Sequence, residues 1–133
     1  MLAREKKWHT ILHFGTDRVL LRLRARSLKR IGYHVLNASD GFEAIKLAIQ
    51  EPVDAVVLDL DRNHAEIALV ASEIKRCRPQ VPTIVLTEGT APPAPVHELA
   101  DALVPKRDNL RLLVTALEEL TRNLPGRTPE ATS

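Results

Sequence analysis

The chain has 133 residues, enough for one domain with a real core, and its 44% apolar and 27% charged content is that of an ordinary soluble globule. A formal charge of +2 is too small to argue for a nucleic-acid binder, and 3% aromatic residues leave little for stacking on single strands. Cys77 alone excludes an internal disulfide, and no long apolar segment follows the charged opening MLAREKKWHT; a reducing, cytoplasmic location is expected, with no signal peptide or membrane span.

Short apolar runs alternate with segments of helical period. TILHFG (10–15) reads as a buried strand closed by Gly15. RVLLRLRARSLKRI (18–31) reads as a helix that buries Leu20, Leu21, Leu28 and Ile31 and presents Arg18, Arg22, Arg26, Lys29 and Arg30. Gly32 ends it, being tolerant of left-handed backbone. YHVLNA is a second strand. SDGFEAIKLAIQE is a helix in which Asp40 caps and Glu43 reaches back to the cap amide. VDAVVLDL is nearly continuously apolar, as suits a strand covered on both faces. AEIALVASEIKRC places Ile67, Val70, Ala71 and Ile74 at helical spacing, and TIVLT is the fourth strand.

Prolines at 92, 93 and 95 leave room only for a short helix over about 95–100. DALVP is a fifth strand, expected at an edge because Pro105 lacks a ladder donor. DNLRLLVTALEELTR is the last helix, with Leu110, Leu113, Val114, Leu117 and Leu120 as its stripe. Residues 1–8 are expected to be an extension, 9–122 the folded domain and 123–133 a disordered tail. Five strands alternating with five helices imply an α/β three-layer sandwich around a parallel sheet.

In such sheets, reactive groups gather beyond the C-terminal strand ends. Those ends carry Gly15-Thr16-Asp17, Asp59-Leu60-Asp61, Thr87-Glu88 and Lys106. A carboxylate can accept a phosphoryl group, a hydroxyl can hydrogen-bond its oxygens, and an amine can pair with its charge. With LKRIGYHV, ASDGFEAIKLA, PVDAVVLDL, PTIVLT and ADALVPK, this set resembles the receiver domain of bacterial two-component response regulators over about residues 11–120. The resemblance implies a flavodoxin-like sheet of order 2-1-3-4-5 and a signalling module rather than an enzyme. It makes Asp59 the phosphoacceptor, Thr87 the switch hydroxyl and Lys106 the phosphoryl contact. It also implies a sensor histidine kinase or phosphotransfer protein as donor and an output protein as partner, with no membrane or nucleic acid, and leaves the oligomeric state open.

The departures are specific. The acid pair that helps receivers hold Mg2+ falls on Gly15 and Thr16, which leaves Asp59 with Asp61 and Asp17 as substitute ligands. The loop after the acceptor, DRNHAE, has no Pro or Gly; Arg107 follows the lysine; Leu103 stands at the usually aromatic switch position; and the segment between Thr87 and Ala100 is shortened. These features motivate an alternative, a phosphorylation-independent interaction module. A nucleotide-binding enzyme or phosphatase ranks lower, because GTDRVL lacks the repeated glycines of a phosphate loop. The arginine stripe reads as a solvated face, or else as a docking face for an acidic partner or nucleic acid, with a protein partner the favoured use. The five histidines fall on different elements without zinc-ligand spacing, and Cys77 reads as packing.

Overall fold

The computed structural model describes residues 8–88, 92–106 and 110–126. The chain runs β1 (Thr10–Phe14), α1 (Arg18–Ile31), β2 (His34–Ala38), α2 (Gly41–Gln50) and β3 (Ala55–Asp59). It continues α3 (His64–Cys77), β4 (Thr83–Thr87), α4 (Ala94–Leu99), β5 (Ala102–Pro105) and α5 (Arg111–Thr121). The strands form one parallel sheet in the order β2-β1-β3-β4-β5, with β5 at an edge as its proline requires.

Alternation along the strands divides the core in two. Leu12, Phe14, Val56, Leu58 and Val85 face α2, α3 and α4, where Ala44, Ile67, Val70, Ile74 and Val96 meet them. Ile11, Val57, Ile84 and Leu86 face α1 and α5, meeting Ala25, Leu28, Leu113 and Leu117. By the same alternation His13 and Asp59 point to the α1/α5 side, two residues beyond Ile11 and Val57. That parity decides what surrounds them.

Local chemistry sets the helix ends. Asp17 caps α1, accepting from the Val19 and Leu20 amides at 3.1 Å each. Gly32 closes α1 at φ 125°, a conformation that favours glycine. Asp40 accepts from the Glu43 amide at 2.8 Å, while Glu43 reaches the Ser39 amide rather than that of Asp40. At the opposite end of the sheet two acids satisfy the first strand amides: Asp54 takes Thr10 N–H and Asp101 takes Thr83 N–H, both at 2.7 Å.

Several expectations need correction. Leu20 and Ile31 are 45% and 50% exposed, because the buried stripe of α1 is centred on Leu21, Ala25 and Leu28. In α5, Leu113, Leu117 and Thr121 are buried, whereas Leu110, Val114 and Leu120 are only half-buried. Trp8, expected in a leading extension, packs edge-on against His34 with ring centroids 5.6 Å apart. The neighbouring His9 ring bonds the Leu124 carbonyl at 2.9 Å, tying the chain's start to the segment after α5. Arg107 and residues 127–133 of the expected tail lie outside the described residues.

Candidate functional site

The C-terminal ends of β1, β3, β4 and β5 converge on one carboxylate. Asp59 is the last residue of β3, the middle strand of the sheet, and is only 5% exposed. A carboxylate so buried demands charged partners. Lys106 Nζ lies 2.7 Å from Asp59 Oδ1. The contact is an ion pair rather than a directed hydrogen bond, since Oδ1 is a buried atom lacking one. The Lys106 backbone is itself held, its N–H donating to the Thr87 carbonyl at 2.9 Å and extending the β4–β5 ladder by one step. Thr87 is buried at the end of β4, and among the described residues its hydroxyl makes no hydrogen bond to Asp59.

The other partner is Arg24, on the second turn of α1. Its Nη1 donates to Asp59 Oδ2 at 3.1 Å and lies 3.1 Å from His13 Nε2. One guanidinium nitrogen thus divides its two hydrogens between a carboxylate and an imidazole. The Arg24 and Lys106 side chains are each 12% exposed. His13 is fully buried on β1, and its pKa is lowered to about 4, by burial first and by the Arg24 charge second. The Asp59 charge and the neighbouring Asn37 side chain oppose that shift. His13 is therefore neutral at pH 7, and accepting at Nε2 from Arg24 leaves its proton on Nδ1. Asn37 is its register partner on β2, but His13 Nδ1 and Asn37 Oδ1 are both buried atoms that make no hydrogen bond among the described residues. The chain His13–Arg24–Asp59–Lys106 is a single polar network at the strand ends, with Asn37 beside it on β2.

Gly15 makes room for it. A Cβ at Gly15 would lie 3.2 Å from Asp59 Cβ and 3.3 Å from Asp59 Oδ2, the oxygen that Arg24 uses. The sequence reading missed both Arg24 and His13. The signal was present: Arg24 lies three residues after Leu21 and four before Leu28, which puts it beside the buried stripe of α1 rather than on the exposed arginine face.

No protein-family model matches the chain. It is 30% identical over 115 residues to the response regulator MprA of Mycobacterium leprae, covering 84% of this chain and 50% of that protein. It is 34% identical over 85 residues to the transcriptional regulatory protein GlrR of Escherichia coli K12, covering 63% of this chain and 19% of that protein. Its fold superposes on the response regulator TrrA of Thermotoga maritima, solved in complex with Mg(2+)-BeF, with a TM-score of 0.76, 26% identity, and coverage of 84% and 98% of the two chains. The chain belongs to the response regulator receiver family. The receiver spans about half the length of MprA and a fifth of GlrR.

The receiver's residues do not fit the magnesium ion of its relative. Asp17 is engaged in capping α1, and Asp61 is exposed, its own N–H donating to Asn63 Oδ1 at 2.8 Å. Among the described residues no group of three or more His, Cys, Asp and Glu could hold a metal ion. Substitution of the missing acid pair by Asp17 or Asp61 is not what the geometry provides. Arg24 and Gly15 occupy the flank of Asp59 instead.

On the neighbouring α4–β5 face, Leu103 is exposed and α4 has six residues, so no aromatic switch stands there. The arginine stripe of α1 is exposed and borders a shallow cavity with Val19, Leu23 and Asn37, the register partner of His13. No described helix is long and apolar enough to cross a membrane.

Proposed function

We propose that this receiver takes a phosphoryl group on Asp59 from a sensor histidine kinase or a phosphotransfer protein, and passes the signal on by protein–protein binding. The observation that carries the reading is a buried carboxylate at the end of the central strand with a lysine ammonium 2.7 Å from one oxygen. Attack by an Asp59 oxygen on the donor phosphorus replaces one carboxylate charge with a phosphoryl group bearing about two. Lys106 lies where it would neutralise the incoming oxygens. Thr87, one register step beyond the Leu86 partner of Asp59 on β4, is the hydroxyl that would follow the added group. A phosphorylation-independent interaction module is the weaker reading, since it leaves this buried acid–lysine pair without a chemical role.

The test is intact-mass analysis after incubation with acetyl phosphate, beside an Asp59→Asn control. One phosphoryl adduct, absent from the control, is expected. An adduct that persists in Asp59→Asn would place the chemistry elsewhere.

A further inference from the structure

Arg24 and Gly15 together describe a site in which a guanidinium stands at the flank of the acceptor. The Asp59 carboxylate is gripped on both oxygens, by Lys106 at 2.7 Å and by Arg24 at 3.1 Å. Arg24 is not a wandering surface side chain. Its other Nη1 hydrogen is directed at a fully buried imidazole. Nor could an acid be restored at Gly15 without disturbance, because its Cβ would crowd the oxygen that Arg24 holds.

Charge makes the same point. One carboxylate and two cations give this pocket a formal charge of +1 at rest. A phosphoryl group on Asp59 would bring that close to zero, because the modified residue bears about two negative charges. A divalent ion added to the resting pocket would face two cations with a single carboxylate to hold it, an arrangement Coulomb's law disfavours.

We propose that Arg24 replaces the divalent cation in this receiver, so that Asp59 accepts a phosphoryl group without a metal ion, and that His13 is the positioning residue that aims the guanidinium. This rests on Asp59 being the acceptor. In the step, an Asp59 oxygen forms a bond to phosphorus of acetyl phosphate. The bond between phosphorus and the bridging oxygen breaks, and acetate leaves with the electron pair. Arg24 and Lys106 offset the charge on the transferred oxygens throughout, and no further reactant is needed.

The experiment follows the acetyl phosphate adduct on the whole chain in excess magnesium and in chelator, alongside a titration with Mn2+ read by the free-ion paramagnetic resonance signal. Equal labelling rates with and without metal are expected, together with no stoichiometric Mn2+ binding. Arg24→Ala is expected to lose labelling by about a hundredfold, as when one charge-stabilising donor is removed, with partial recovery in Arg24→Lys. Thermal unfolding of both variants separates this loss from misfolding, and the lysine variant keeps the test open if the alanine variant does not fold. Labelling that requires magnesium overturns the inference while leaving Asp59 as acceptor. No labelling in either condition overturns the reading of Asp59 as acceptor and this inference with it, and one bound Mn2+ ion lost in Asp59→Asn overturns the replacement of the metal by Arg24 in any case.

Discussion

His13 offers a quantitative check on the network. Its ring is fully buried and its pKa is lowered from an ordinary 6.5 to about 4, by burial first, then by Arg24. The unfolded chain therefore takes up this proton before the folded one does. The stability contributed by the neutral ring is present above about pH 6.5 and is lost as pH falls towards 4. Between pH 7 and pH 5 the loss from this one group is about 2 kcal/mol, taking 1.36 kcal/mol per pKa unit. For a chain of this size that lowers the midpoint of thermal unfolding by about 6 to 10 °C. The comparison is a set of urea unfolding curves from pH 7 to pH 5 on the parent and on His13→Gln. Gln keeps an acceptor for Arg24 but does not titrate in this range. The remaining histidines and the carboxylates are common to both proteins, so the difference between the two profiles isolates His13. If the parent is as flat as the variant between pH 7 and pH 5, His13 is not held neutral by this environment and the network is wrongly drawn.

Gly15→Asp is expected to destabilise by about 1 to 3 kcal/mol in urea unfolding, because its Cβ crowds Asp59 and adds a like charge beside Oδ2; unchanged stability would mean the pocket is looser than these distances. Asp17→Ala removes the α1 cap and should cost about 1 kcal/mol by the same assay, with no change in Asp59 labelling. A loss of labelling with intact folding would make Asp17 part of the site after all. Gly32→Ala forces a side chain into φ 125° and should cost about 1 to 2 kcal/mol, seen as a lower unfolding midpoint.

Much of this receiver was legible one segment at a time. The bounds of α1 and β4 follow from local period, from Gly32 and from the prolines before β4, as these act within a turn or two of the chain. Asp59 and Lys106 were legible because an alternating α/β pattern brings strand ends together whatever the details of packing. The core stripe of α3 came from spacing alone. That of α1 did not, because Leu20 and Ile31 lie at the margin of the helix face and only the sheet beneath decides which leucines it covers.

What the linear pattern left open was the company Asp59 keeps. Reading along the chain, the loss of acids at Gly15 and Thr16 invited the nearest carboxylates, Asp17 and Asp61, as replacements. Proximity in sequence was the wrong measure. Asp17 is claimed by the amides of its own helix, an interaction two and three residues long. The cation beside Asp59 comes from a helix separated from it by 35 residues. Strand parity turns His13 and Asp59 to the same face, and the rotation of α1 on the sheet brings Arg24 between them. Those relations belong to the packed sheet and helix together, so they exist only once the chain has folded.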